Sequence, residues 1–210
     1  ELLPLVADAV QEISDAPLQL DSSDPEALAA ALRRYNGKAL INSVSGKRES
    51  MDKVFPLVKK YGGVLVALTM DDDGIPATAE ARVAVAKCIL AEGKKYGLSK
   101  KDFLFDPLCM TVSADKDSAS ITLKAVEMLT KLGLKTVLGV SNVSFGLPER
   151  QNINSVFYTL ALNAGLDAAI INPKSDDMMK AYYSFCALMG YDKNFEQYIS
   201  VYGAADQKEQ

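Results

Sequence analysis

The feature that most constrains this chain is a set of six short apolar runs, each ending on an acidic or amide residue: Leu18–Asp21, Leu40–Asn42, Val64–Asp71, Phe103–Asp106, Val137–Asn142 and Ala168–Asn172. The terminal residues recur at intervals of roughly 20 to 36 positions with a helical pattern in each gap, the rhythm of strand-helix units that feed a parallel sheet. In a (β/α)8 barrel, ligands bind at the C-terminal rim of the strands, so these polar ends read as one constellation. An open doubly wound sheet alternates in the same way but gathers its ligand at one switch point. No GxGxxG follows any run, and all six runs carry a polar end, so the barrel is preferred.

The punctuation supports repeated units. Leu2, Leu3, Val6, Ala9, Val10 and Ile13 recur at helical spacing from the first residues, and Pro17 ends that helix. Ser23-Asp24-Pro25-Glu26 supplies a capping side chain, a proline for the first turn and an acid against the positive helix end; Asn36-Gly37 stops the helix. Further helices are expected over Met51–Lys60, Ala79–Tyr96, Ser118–Lys131, Asn154–Asn163 and Asp176–Leu188, giving seven helices beside six strands. The expectation is therefore a (β/α)8 TIM barrel whose first strand-helix-strand segment is absent from this chain and belongs to an upstream segment. The barrel domain is expected over 1–190. A C-terminal extension, polar from Ala205 to Gln210, is expected over 191–210.

With 210 residues, 49% of them hydrophobic and 24% charged, the chain suits one domain with a sizeable core. Its 23 Lys and Arg are interspersed among 27 Asp and Glu, which leaves no basic stripe for nucleic acid. No apolar run approaches the roughly 18 residues that span a bilayer, and no leader is evident, so no membrane partner and a cytoplasmic location are expected. Cys88, Cys109 and Cys186 form no CxxC pair; Cys88 and Cys186 fall in apolar helical patterns and are expected to be core thiols. The absence of histidine removes Ser-His-Asp and Cys-His catalysis and nearly all transition-metal sites, so no metal site is expected.

What remains is carboxylates and amides. Asp21, Asn42, Asp106 and Asn142 are expected near one plane at the barrel mouth. A carboxylate accepts two hydrogen bonds side by side, and an amide both donates and accepts. Together they match a heterocycle with an amino-imino edge and ring acceptors, of which a pterin is one. The same residue types also serve as helix caps and βα-turn residues.

Leu18-Gln19-Leu20-Asp21-Ser22-Ser23, Leu40-Ile41-Asn42-Ser43-Val44-Ser45, Phe105-Asp106-Pro107 and Gly139-Val140-Ser141-Asn142-Val143-Ser144-Phe145-Gly146 carry a resemblance. In this order they resemble the pterin-binding methyltetrahydrofolate:corrinoid methyltransferases. That family includes the methyltetrahydrofolate:corrinoid/iron-sulfur protein methyltransferases and the folate domain of cobalamin-dependent methionine synthase. The resemblance extends to about Met189 and implies a barrel of the dihydropteroate synthase-like type. It implies an enzyme that transfers the N5-methyl group of methyltetrahydrofolate to Co(I) of a corrinoid (cobalamin) carried by a partner domain or protein. By position it implies that Asp21, Asn42 and Asp106 hold the pterin ring. The same resemblance implies that Asn142 lies near N5 as the catalytic residue, and that Arg150, in the loop after that strand, stands near the pterin or its approach. Asp71 and Asn172 occupy equivalent strand ends and are weaker candidates. A homodimer is a further expectation. Two alternatives stand beside this reading. Dihydropteroate synthase would need anion binders, and it has a Ser-Arg-Lys segment where this chain has Ser141-Asn142-Val143. A noncatalytic folate-binding module would bind methyltetrahydrofolate without turning it over.

Overall fold

The computed structural model describes residues 2–203. Helices and strands alternate as α1 (Leu2–Gln11), β1 (Gln19–Asp21), α2 (Pro25–Arg34), β2 (Leu40–Ser45), α3 (Arg48–Tyr61), β3 (Val64–Leu68), α4 (Ala79–Lys95), β4 (Phe103–Asp106), α5 (Ser118–Lys131), β5 (Val137–Gly139), α6 (Arg150–Asn163), β6 (Ala168–Ile170), α7 (Asp176–Leu188) and α8 (Glu196–Tyr202). Every strand pairing is parallel. Strands β1 to β4 lie side by side in chain order, and β5 pairs with β6. A parallel bridge between Phe105 and Thr136, with the Phe105 N–H donating to the Lys135 carbonyl at 2.8 Å, joins the two sets. Each strand thus lies beside its predecessor without reversal, which is the order of a (β/α)8 barrel rather than of a doubly wound sheet. The fold is an arc of six strands of such a barrel, with its helices outside.

Alternation along the strands decides what faces where. Leu20, Ile41, Val44, Leu65, Ala67, Phe103 and Phe105 are buried in one core with residues of α2, α3 and α4, among them Leu28, Phe55 and Ile89. Since neighbouring residues on a strand point to opposite faces, Asp21, Asn42, Val66, Leu68, Leu104 and Asp106 face the barrel axis. In β2 a register shift between Asn42 and Val44 lets Ile41 and Val44 both reach the helix side. A second core joins Leu138, Val140 and Val143 to Phe157, Tyr158 and Ala161 of α6 and Met178 of α7.

Among the boundaries that differ from the sequence expectation, four bear on the candidate residues. β3 ends at Leu68: the Thr69 N–H donates to the Asp106 carbonyl, and Asp71 and Gly74 then exchange backbone bonds in a turn. Asp71 is therefore a turn residue. β5 ends at Gly139 and continues as a 3-10 turn over Val140–Ser144, so Asn142 lies beyond the strand. In that turn residues i and i+3 fall in line, which buries Val140 and Val143 together. β6 ends at Ile170, and Asn172 accepts from the Lys174 N–H in an Asx turn. α6 begins at Arg150, which makes that arginine a first-turn helix residue rather than a loop one.

The helix count also rises, to eight α-helices among the described residues, because α8 folds back on α7 with Tyr202 edge-on to Tyr183. The polar run Ala205–Gln210 lies outside the described residues. Cys109 is buried and Cys186 half-buried, but Cys88 is exposed, one position off the buried stripe of Val85, Ala86, Ile89 and Leu90. No helix among the described residues is long and apolar enough to cross a membrane.

Gly93 marks the tightest approach of α4 to the sheet. A Cβ there would stand 2.6 Å from Phe103 Cζ, and the ring cannot swing away because Phe105 stacks on it and Phe55 meets its edge. Gly93→Ala should therefore destabilise the protein by about 1 to 3 kcal/mol, the scale of overpacking, despite the roughly 1 kcal/mol that alanine gains in a helix. Denaturant unfolding of the two proteins checks this; a more stable variant would mean that the aromatic stack yields.

Candidate functional site

Asp21 and Asn42 are register partners on adjacent strands, and the Asn42 amide donates from Nδ2 to Asp21 Oδ2 at 2.9 Å. That bond orients the amide and turns its Oδ1 away from the aspartate. The pair stands level with Val66 and Leu104, whereas Asp106 stands level with Ser45 and Leu68. Asp106 is thus two residues further along the rim, roughly 6 to 7 Å at the usual strand rise, a stagger that strand tilt builds into a barrel.

Asp106 is only 8% exposed. Its Oδ1 accepts the Leu108 N–H at 2.8 Å, across a turn in which Leu108 has a φ of 61°. Beneath the turn lies the Arg82 guanidinium, 2% exposed, which donates to the carbonyls of Pro107 and Leu108 at 3.0 and 2.7 Å. The Thr122 hydroxyl also donates to the Leu108 carbonyl at 3.0 Å. Burial pushes the Asp106 carboxyl up to about 6, against the opposing pull of the Leu108 N–H and the Arg82 charge. Burial likewise pushes the neighbouring Cys109 thiol up to about 11, so it is no nucleophile near neutral pH.

Asn142 is exposed, with its Nδ2 folded over Gly139, the last residue of β5; a Cβ at Gly139 would meet that nitrogen at 3.2 Å. The turn carrying Asn142 is braced from α6. Arg150 donates from Nη2 to the Ser141 carbonyl at 2.6 Å and from Nε to the Ser144 hydroxyl at 3.0 Å, and that hydroxyl donates to Asn154 Oδ1 at 2.7 Å. The Arg150 guanidinium also lies 5.9 Å from the centre of the Phe145 ring. Two loops are stitched together at this point. Val112 N–H donates to the Val143 carbonyl at 2.9 Å, and the Thr111 and Ser113 hydroxyls donate to the Phe145 carbonyl at 2.6 and 3.0 Å.

The geometry therefore brings Asp21 and Asn42 into direct contact and sets Asp106 two strands along on the same axial face. Asn142 stands in the loop stitched to the one that follows Asp106. Arg150 holds the Asn142 turn. Asp71 and Asn172 are occupied in their own turns. The chain's sequence did not single out Arg82, Thr122, Ser144 or Asn154. One signal for Arg82 was available: it falls on the buried stripe of α4, between Ala79 and Val83 on one side and Ala86 on the other.

A sheet of this order with polar strand ends on its axial face is the arrangement that, in (β/α)8 barrel enzymes, presents side chains to a ligand at the C-terminal rim. The pterin binding enzyme family model matches residues 1–172, and the chain belongs to that family, in its methyltransferase branch. It is 36% identical over 206 residues to the methylcorrinoid:tetrahydrofolate methyltransferase of Eubacterium limosum, covering 96% of this chain and 76% of that protein. It is 34% identical over 181 residues to the methionine synthase of Mycobacterium leprae, covering 80% of this chain but 15% of that protein. Among solved structures it superposes on the dihydropteroate synthase of Yersinia pestis with a TM-score of 0.72 and 15% identity, covering 89% of this chain and 78% of that one. At that identity the likeness is one of fold alone.

The burial of Asp106 has a thermodynamic signature. Its carboxyl titrates near 6 in the folded protein and near 3.8 when unperturbed, so between those values the folded state holds more protons than the unfolded state. Stability then falls as pH rises through that window, and the deficit is complete above it. Asp106→Asn keeps an acceptor for the Leu108 N–H while removing the buried charge. It should raise stability at neutral pH by about 2 to 3 kcal/mol and leave it unchanged below about pH 4. Denaturant unfolding at the two pH values checks this; a gain that persists at acid pH would trace to packing instead.

Proposed function

We propose that the protein transfers a methyl group between N5 of tetrahydrofolate and the cobalt of a corrinoid held by a separate carrier protein or domain, within one-carbon metabolism. The observation that carries this reading is the likeness to a methylcorrinoid:tetrahydrofolate methyltransferase, which spans nearly the whole chain. That relative's name runs the methyl group from corrinoid to folate, the reverse of the direction read from the sequence resemblance. Both directions share one transition state, so one set of residues serves both.

In this reading Asp106 accepts two hydrogen bonds from the amino-imino edge of the pterin. Asp21 and the Asn42 Oδ1 that faces away from it take further donors on the ring. The corrinoid supplies the metal nucleophile or the methyl donor. Moving a methyl group off N5 requires that nitrogen to leave with its electron pair, which a hydrogen-bond donor assists more strongly as the bond breaks. The Asn142 amide is assigned that task, and Arg150 is assigned to holding its turn rather than to touching the pterin. A dihydropteroate synthase reading is weaker: the turn reads Ser141-Asn142-Val143 without the two basic residues of that family's Ser-Arg-Lys segment, and the neighbouring Arg150 is engaged by the Ser141 carbonyl and the Ser144 hydroxyl.

Two variants test the assignment. Asp106→Asn should weaken methyltetrahydrofolate binding by about 1.5 to 3 kcal/mol, the scale of a hydrogen bond to a charged group. Unchanged affinity in a calorimetric titration would remove Asp106 from the site. For Asn142→Ala, single-turnover methylation of Co(I) cobalamin under anaerobic conditions should slow more than methyltetrahydrofolate binding weakens, because an interaction gained in the transition state affects rate above affinity. Equal losses would make Asn142 a binding residue. If the unaltered protein binds methyltetrahydrofolate yet neither consumes Co(I) nor demethylates methylcobalamin with tetrahydrofolate, the protein is a noncatalytic folate-binding module.

A further inference from the structure

Arg82 is a buried cation with an unusual set of partners. Its four hydrogen bonds all end on neutral oxygens: the carbonyls of Pro76, Pro107 and Leu108 at 2.9, 3.0 and 2.7 Å, and the Thr122 hydroxyl at 3.2 Å. Among the described residues it makes no ion pair. Charges of this kind are expensive to bury, and a neutral residue of similar length would fit α4 at lower cost. The bonds show what the charge holds in place. Two of them grip the consecutive carbonyls that follow Asp106, and the N–H of the second of those residues, Leu108, donates to the Asp106 carboxylate. A third reaches Pro76, and so ties the loop before α4 to the same point.

We infer that Arg82 is a positioning residue for Asp106: from beneath the turn 106–108 it fixes the backbone donor that orients the carboxylate and supplies the positive charge that balances it. The inference rests on Asp106 being the pterin ligand. It explains the placement of a guanidinium, because Nε reaches the Pro76 carbonyl while Nη1, its two N–H groups shared among the Pro107 and Leu108 carbonyls and the Thr122 hydroxyl, reaches the other side, two directions held by one rigid plane that a single ammonium does not offer. Other titratable groups facing this cluster are Cys109, whose thiol stays protonated, and Asp115, which acts on Arg82 through space. Neither is among the groups that shift the Asp106 carboxyl. Burial favours the acid form of Asp106, and the Leu108 N–H and Arg82 are the two groups that favour the ion.

The test uses Arg82→Met and Arg82→Lys in the intact protein, each checked by thermal unfolding. Aspartate carboxyl carbons are followed by NMR through a pH titration, with Asp106→Asn assigning the resonance. Methyltetrahydrofolate binding is measured at acid and alkaline pH. In Arg82→Met the Asp106 midpoint should move up by about one pH unit, and affinity should fall about threefold at about pH 6.5 and recover at about pH 8. Arg82→Lys keeps the charge but not the fork, and should show a smaller rise in the same direction. It carries the test if Arg82→Met does not fold. A midpoint that stays in place in the folded variants, or an affinity loss equal at both pH values, overturns the inference and leaves Arg82 as a packing residue. Normal binding by Asp106→Asn overturns it differently, by removing Asp106 from the pterin site while leaving the NMR result on Arg82 intact.

Discussion

The arrangement of this molecule follows from one constraint: on a parallel strand packed against helices, alternate residues are committed to the helix side. Once Leu20, Ile41, Leu65, Phe103 and Phe105 are buried against α2, α3 and α4, the positions between them have no choice of face. Asp21, Asn42 and Asp106 are therefore directed at the axis by their neighbours' hydrophobicity and not by any attraction of their own. The shift in β2 after Asn42 obeys the same demand, since it returns Val44 to the helix side without moving Asn42 off the axial one.

This is why so much of the fold was legible. The apolar runs, their spacing and the capping residues fix the order of elements, and parallel order without reversal then leaves the barrel. Ends of strands were harder to read. Thr69 and Val140 are β-branched and look like strand continuations, but a strand extends only while a neighbour offers backbone partners. β3 stops at Leu68, where its last carbonyl partner is Asp106, and β5 gives way to a turn because Val140 and Val143 must both reach the core under α6. Cys88 was misplaced for a related reason: composition put it in an apolar stretch, whereas the phase of the helix put it outside.

Of the candidate site, the chemistry was legible and the support was not. Asp21, Asn42, Asp106 and Asn142 announce themselves because polar residues terminate apolar runs. Arg82, Ser144 and Asn154 act through backbone carbonyls and one another, and nothing in a residue's type says that its partners will be main-chain oxygens far along the chain. A buried arginine on a helix stripe is visible as a breach of amphipathic pattern, but the pattern alone gives no partner. Asp106 shows the opposing side of the same design, a group left in an environment that disfavours its ionised form, with the Leu108 N–H and the Arg82 charge supplying partial compensation.

The stitching of the loop after β4 to the loop after β5 bears on how a ligand would be received. Thr111, Val112 and Ser113 bind the carbonyls of Val143 and Phe145, so the segment that follows Asp106 and the segment that carries Asn142 are one mechanical body. A ligand that orders one orders the other, and the loss of conformational freedom is incurred once, at the binding step. Afterwards no further ordering remains for the segment that carries Asn142. Cutting the stitch at Thr111 would separate two events that the native chain performs as one.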